Sequence, residues 1–440
     1  MNELDEFFEL LRFPSVSADP AHAGEVRACA AWLAEWLGAA GMEVRLAECG
    51  GPPVVTGSAG LRPGVPRLLV YGHYDVQPAA AEPAWLSPPF EPEVRDGLVH
   101  ARGATDNKGQ MFSLLLGIRS LLRAGVPPAG LLVVLEGEEE TGSAHFARFL
   151  ERHRAELACD AVLICDTSMV APGWPALTNG LRGIACFEVA VHGPRTDLHS
   201  GIFGGAVRNP AMVLSRILAR LEDDSGGVGI PGFADGVIQP SEEERRGWAE
   251  LPWDGDWFRA AAGVEASGGE RALPVLERVW ARPTAEINGL FSGHTGAGSK
   301  TVIPSVARAK LSFRLVPGQD PGSVAAMVGD WFDGQFALEG VRGEAVFDHG
   351  GEPFHVPPGD PMLGKAAAAL EEVFGRRPTL TREGLSIPAA SMLGRTLGAP
   401  VLLAGLGLPD CRAHGPDESF PVAHLDLGAR LLRALAGRMG

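Results

Sequence analysis

Apolar residues recur along the first part of the chain in two rhythms. Between residues 22 and 41, Val26, Ala30, Leu33 and Leu37 fall at helical spacing ahead of Gly41, which predicts an amphipathic helix with a glycine stop. Short apolar runs follow within 67–72, 130–136 and 160–165, each with the length of a buried strand. A short strand near 98–102 and helices near 107–124 and 143–154 lie between them, so strand and helix alternate. This predicts an α/β fold class with a mostly parallel sheet and helices on both faces. After Thr178 the pattern changes. Residues 183–191 and 306–315 alternate as half-exposed strands, separated by a helix starting near Pro210 and by a Gly/Pro-rich, charged stretch from Asp223 to Trp248. The first rhythm then returns, with a helix near 361–375, an apolar strand at 400–404 and a last helix at 421–438. The expected organisation is one domain of residues 1–177 and 353–440, interrupted by an α+β insertion of residues 178–352.

A chain of 440 residues with 45% hydrophobic content exceeds one ordinary core, in keeping with two domains of unequal kind. The formal charge of −16 removes the electrostatic footprint that phosphate backbones or anionic lipid require, so neither nucleic acid nor a membrane surface is an expected partner. Glu3, Asp5, Glu6 and Glu9 break up the N-terminal segment, which lacks the basic and apolar regions of a signal peptide. Six widely spaced cysteines form neither a CxxC pair nor a dense framework, which fits reduced thiols and a cytoplasmic location.

Several acidic and histidine motifs stand where the apolar runs end. His73 follows 67–72, Glu138-Glu139-Glu140 follow 130–136 and Asp166 follows 160–165, while Asp106 precedes a helix and His414 lies in a late loop. Open α/β sheets bind ligands outside the carboxyl ends of their strands, so residues this scattered can converge. In His73-Tyr74-Asp75 a carboxylate is placed to orient a metal-bound imidazole. Asp106 can offer one oxygen to each of two cations. Glu139 and Glu140, being adjacent, point apart, so that one can bind a cation while the other acts as general base. The expected sites are His73, Asp106 and Asp166 around one ion, and Asp106, Glu140 and His414 around the other. Mixed N/O donors favour Zn²⁺, with Mn²⁺ and Co²⁺ also compatible. Two such ions would activate a bridging water and polarise a scissile carbonyl, the chemistry of amide hydrolysis. Each feature also has a plainer reading. His22, His100, His145, His153, His192 and His424 are taken as structural, and Glu138 as a solvated carboxylate at a helix start.

These residues sit in segments that resemble the M20 family of metallopeptidases, most closely its dipeptidase branch, the carnosinase-like and cytosolic non-specific dipeptidases. The resemblance runs over nearly the whole chain, through YGHYDVQP (71–78), GATDNKGQ (103–110), EGEEETGS (136–143), DLHSGIFGG (197–205), SKTVIPSVARAKLSFRLVPG (299–318), REGLSIP (382–388) and AHGPDE (413–418). It implies metal ligands at His73, Asp106, Glu140, Asp166 and His414, an orienting acid at Asp75, and a general base at Glu139. The motif, more than the spacing, selects Glu139 and Glu140 over Glu138. It also implies a cis peptide bond at Asp106-Asn107. By the same resemblance the insertion is a lid that dimerises, His199 reaches the partner's site to stabilise an oxyanion, and Arg314 binds the substrate's terminal carboxylate. Bottom-up, Arg314 fits: Leu311, Phe313 and Leu315 fill one strand face, leaving Lys310, Ser312 and Arg314 on the other. Thr301 and Ser386 match further substrate contacts.

Three departures from the family pattern stand out. Leu385 replaces a glycine, AHGPDE replaces AHSPNE, and Cys411 lies three residues before His414 as a possible soft donor. The expected activity is cleavage of dipeptides or short peptides bearing a free carboxylate. The alternatives are deacylation of N-acyl amino acids at the same site, and a binding protein on a retired peptidase fold.

Overall fold

In the computed structural model, which describes residues 2–79, 85–384 and 387–440, the apolar runs become neighbouring strands. Arg67–His73 lies between Gly130–Glu136 and Ala161–Ile164 and runs parallel to both, and Val401–Ala404 extends the parallel set beyond Ala161–Ile164. Every residue of Gly130–Glu136 is buried, as expected of a strand covered on both faces. The margins are antiparallel. Glu43–Ala47 and Val54–Ala59 flank Gly130–Glu136, and Ala176–Leu181 borders Val401–Ala404. The fold is therefore mixed α/β with a mainly parallel centre.

Consecutive residues of the central strand identify its two helical layers. The Tyr71 ring lies 5.6 Å from that of Phe146 in helix Phe146–His153. The next residue, Gly72, faces the opposite way, where a Cβ would come within 2.6 Å of the Met111 side chain in helix Lys108–Ala124. Side chains alternate across a strand, so these helices cover opposite faces. Helix Lys108–Ala124 packs against Val422–Met439, and helix Pro388–Leu397 against Phe146–His153. The short strand Leu98–His100 departs from the expected alternation: it pairs with Glu93–Arg95 and Ser419–Pro421 in a separate three-stranded sheet. Three residues between turns are too short to span the central sheet.

The chain divides into two compact units. The first comprises residues up to Asn179, Val356–Thr381 and Ile387–Gly440; the second comprises Gly180–His355 and a short segment beginning at Arg382. In the second unit, Thr284–Ser292, Val306–Leu315, Gly183–His192 and Arg342–Gly351 form an antiparallel sheet in that order. Helices Pro210–Leu218 and Pro321–Glu339 pack on it and bury Phe187, Leu311 and Phe313 against Ile217, Val328 and Phe332. The stretch read from the sequence as Gly/Pro-rich and charged is partly core, for it contributes Ile230, Phe233 and the helix Glu242–Ala249. Among the described residues all six cysteines are free thiols, and no helix is long and apolar enough to cross a membrane.

Candidate active site

Parallel strands all leave the sheet on the same side, and the acidic motifs follow from that exit. His73 ends its strand in register with Glu136, Asp166 lies just past Ala161–Ile164, and Glu139 and Glu140 open a single helical turn, Glu139–Thr141, just past Gly130–Glu136. Asp106 precedes Asn107, the residue capping helix Lys108–Ala124, and the peptide bond between them is cis. His414 adopts a left-handed backbone, φ 61°, in the loop before Ser419–Pro421.

The result is two groups of three donors sharing Asp106: His73, Asp106 and Asp166, and Asp106, Glu140 and His414, each with donor atoms within 4.8 Å of one another. His73 Nε2 lies 3.1 Å from Asp106 Oδ1 and 3.7 Å from Asp166 Oδ2. His414 Nε2 lies 2.9 Å from the other Asp106 oxygen and 3.4 Å from Glu140 Oε2. Among the described residues, buried His73 Nε2 and Glu140 Oε1 have no hydrogen-bond partner. A pair of N/O donor sets with unpartnered buried donor atoms fits two divalent cations, with Asp106 common to both sets. Cys411 is buried and belongs to neither donor group among the described residues, so the soft donor that the sequence allowed is not brought to the site.

The electrostatics agree with that fit. Burial presses on the Asp106 carboxyl, but the adjacent His414 and His73 imidazoles outweigh it and hold Asp106 well below the ordinary value. Burial lifts Asp166 to about 6 against the opposing pull of the nearby His73 imidazole. Hydrogen bonds to Asp106 and Glu140 raise His414 to about 10, and burial of His73 is overcome by Asp106, Asp166 and Asp75, which keep it well above its usual range. Four carboxylates in one cleft thus hold protons on both imidazoles, and a cation would have to displace them. Glu139 is pushed well above the usual carboxylate range, first by burial and then by Asp166, Glu136 and Glu140. A carboxyl so raised is the stronger proton acceptor once ionised.

Asp75, fully buried, does more than face His73. Its carboxylate is 3.4 Å from His73 Nδ1, which lies nearer, at 3.1 Å, to Asp75's own backbone carbonyl. Its two oxygens accept from the backbone N–H of Glu139 (3.2 Å) and Glu140 (3.1 Å), and Oδ2 also from the Ser17 hydroxyl (2.6 Å). Gln77 Nε2 donates to Glu140 Oε2 at 2.8 Å. Asn107 is a second buried organiser. Its Oδ1 accepts from His73 N–H at 3.3 Å, while its amide donates to Cys165 O at 2.6 Å and to Asp166 Oδ1 at 2.7 Å, leaving Oδ2 for the site.

Sequence reasoning assigned no role to Asn107, Arg102 or Glu418, although Asn107 and Glu418 lie within the quoted motifs. Glu138 needs correcting: it is 7% exposed rather than solvated, and accepts from the His145 backbone (2.6 Å) while facing its Nδ1 (2.8 Å). Its carboxylate caps the start of helix Phe146–His153 instead of sitting in water.

Three of the remaining predicted residues, His199, Thr301 and Arg314, belong to the second unit. His199 is exposed in the short strand Leu198–His199, paired with Val302, and accepts from Gly201 N–H at 3.0 Å. Thr301 is its neighbour across that pairing, its carbonyl accepting from Ser200 N–H at 3.1 Å. Arg314 stands near the end of Val306–Leu315 and lines a pocket of about 400 Å³ with Arg182, Phe258, Thr284 and Glu286. Leu311, Phe313 and Leu315 are buried on the opposite strand face, as the alternation requires. Ser386 and Leu385 lie outside the described residues.

Comparison with known proteins follows the same lines. The chain is 30% identical to the Cys-Gly metallodipeptidase DUG1 of Candida albicans, over 98% of this chain and 93% of that protein. It is 31% identical to the Beta-Ala-His dipeptidase of Homo sapiens, over 87% of this chain and 76% of that one. Among solved structures, an M20 family metallo-carboxypeptidase, Sso-CP2 from Sulfolobus solfataricus, superposes with a TM-score of 0.84 at 29% identity, covering 100% of this chain and 99% of the other. Residues 69–438 match Peptidase family M20/M25/M40, and the chain, with its paired donor groups at the strand ends, belongs to that family of metal-dependent hydrolases.

Proposed function

We propose that this enzyme hydrolyses the amide bond of dipeptides or short peptides carrying a free C-terminal carboxylate, with Glu139 as general base. The observation that carries the reading is the sharing of Asp106 between two three-donor groups, with Glu139 on the same turn as the ligand Glu140. His73, Asp106, Glu140, Asp166 and His414 would hold two divalent ions, Zn²⁺ first by donor type, with Mn²⁺ or Co²⁺ compatible. When bound, the ions supply Lewis acidity to water and to the scissile carbonyl. The protein's own contribution is placement. Asp75 fixes the backbone of Glu139, the Glu139 carboxyl makes no hydrogen bond to other described residues, and its raised proton affinity lets it take a proton from water and return it to the leaving amine.

Substrate recognition falls to the second unit, which we read as a lid of residues 178–352 on a catalytic domain of residues 1–177 and 353–440. Arg314 would grip the terminal carboxylate with paired hydrogen bonds, Thr301 and Ser386 would make further contacts, and His199 would stabilise the oxyanion in the partner's site of a homodimer built through the lid. The proteins named above act on Cys-Gly and β-Ala-His, which supports a dipeptide substrate. A cytoplasmic location accords with the free thiols.

The test is a mass-spectrometric turnover assay of Zn²⁺- and Mn²⁺-loaded protein on dipeptides, longer peptides and N-acyl amino acids, with a chelated control. Chelator-sensitive cleavage of dipeptides is the expected result. Sequential release of C-terminal residues from longer peptides would make the enzyme a carboxypeptidase, and turnover of acyl amino acids alone would make it a deacylase. Glu139→Gln should keep its metal content and lose about 10²–10⁴-fold in kcat; a variant that turns over at the parental rate would remove Glu139 from the mechanism.

A further inference from the structure

We infer that Glu418 and Arg102 form a clamp that holds the Asp106 loop in register with the His414 loop and so builds the second cation site, Asp106–Glu140–His414, selectively over the first. The inference rests on the two-cation reading above. Glu418 is fully buried, and four donors converge on its carboxylate. Oε1 accepts from the backbone N–H of Thr105 (2.8 Å) and Asp106 (3.0 Å), and Oε2 from that of Gly103 (2.9 Å) and from Arg102 Nη1 (2.8 Å). The other arm of the Arg102 guanidinium, itself 2% exposed, donates to the backbone carbonyl of His414 at 2.9 Å. One ligand's amide and the other ligand's carbonyl are therefore joined through a single buried ion pair.

The His414 loop needs such a tie. Arg412, His414 and Asp417 all have left-handed backbones, with φ of 57°, 61° and 60°, and none is glycine. Such a backbone is unfavourable for a residue that carries a Cβ and persists only where the surroundings hold it. The His414 side chain is 56% exposed, so side-chain packing alone does not fix it. The first site is anchored differently. His73 ends a strand hydrogen-bonded on both sides, and Asn107 ties its backbone to Cys165 and Asp166. Loosening the clamp should therefore release His414 and one face of Asp106, and leave the His73–Asp166 pair in place.

Glu418→Gln keeps the volume but sets an amide N–H₂ against incoming donors. Arg102→Gln leaves the three backbone donors on Glu418 and cuts the tie to His414. Both are positioning residues, so the readout is stepwise binding of Zn²⁺ alone by calorimetry, with the visible spectrum of the Co²⁺-loaded protein. The wild type should bind two equivalents. Each folded variant should bind the first normally and the second about 10–100-fold more weakly, with loss of the Co²⁺ bands that appear on the second addition; Arg102→Lys should recover part of the second step. If Glu418→Gln fails to fold, Arg102→Gln decides. Two equivalents of wild-type affinity in Arg102→Gln, or equal weakening of both steps, would overturn the clamp. A wild type that binds a single equivalent would overturn the two-cation reading itself.

Discussion

Replacing Asp75 separates two explanations for a buried carboxylate beside a candidate ligand histidine. If it served only to orient His73, its loss would weaken metal binding and little else, because His73 Nδ1 also has the Asp75 backbone carbonyl at 3.1 Å. The hydrogen bonds point elsewhere. The carboxylate accepts from Glu139 N–H, Glu140 N–H and the Ser17 hydroxyl, and is fully buried. Asp75→Ala strands those donors in the interior. A buried donor left without its acceptor costs about 1–3 kcal/mol, so the two amides alone set about 2–6 kcal/mol against the native turn. The turn can recover that energy only by moving, and a shift of about 1 Å at a catalytic group costs on the order of 10²-fold in rate.

Asp75→Ala should therefore lose about 10²-fold in kcat even when excess Zn²⁺ restores full occupancy, with KM changed far less. Asp75→Asn keeps one acceptor oxygen and orphans one amide, about 1–3 kcal/mol, for a loss of about 10–100-fold. Steady-state kinetics at saturating metal give the rates. Hydrogen exchange of the peptide spanning Glu139 and Glu140 gives the cause, since amides freed from Asp75 should exchange faster. Full kcat in metal-saturated Asp75→Ala, with unchanged protection at Glu139 and Glu140, would refute this account and return Asp75 to the single task of orienting His73.

Other consequences follow from the same geometry. In metal-free protein, Asp166 (about 6), Glu136 (about 8, lifted by burial) and His414 (about 10) all titrate above their unfolded values. Through these three groups the native state binds more protons than the unfolded one between about pH 4 and about pH 10, so the stability they provide is full below their unfolded values and is lost as pH rises through the folded ones, most cleanly above about pH 7, where the opposing shifts of His355 and His424 no longer act. Thermal unfolding of chelated protein should show that fall, whereas Zn²⁺, replacing the protons on His73 and His414, should give its largest stabilisation at the upper end; chelated protein that gains stability with rising pH would contradict this. Arg314→Met should cut kcat/KM about 10–100-fold on substrates with a free carboxylate and spare their C-terminal amides, the loss expected of a charge-assisted pair, and equal losses on both would exclude carboxylate binding. Mixing inactive His199→Ala with inactive Glu139→Gln should regain partial activity through heterodimers; heterodimers shown to form yet remaining silent would argue against a site shared between subunits.

The parts of this molecule that the sequence announces are those whose physics is written in side-chain pattern. A strand buried on both faces carries an apolar run along its middle, so Arg67–His73 and Gly130–Glu136 are legible from residue type, and the donors stand out because they come where those runs end. Glu43–Ala47 and Val54–Ala59 are margin strands, the first mostly exposed and mixed in character, and they escaped. Helix Pro321–Glu339 carries a signal readable in sequence: Asp320 as cap, proline in the first turn, and Val324, Val328, Phe332 and Phe336 at a spacing of four. What no pattern reveals is a side chain whose partner is backbone. Asp75, Asn107 and Glu418 each act on amide or carbonyl groups, which every residue possesses and no residue type marks, so that motif membership flags them without saying what they hold. Glu138 shows the same limit in reverse, since an acidic run read as solvated hides one carboxylate committed to a helix start. Five candidate ligands can thus be named from charge and position, while the distances between them are set by backbone hydrogen bonds, and those distances decide whether two cations can share Asp106.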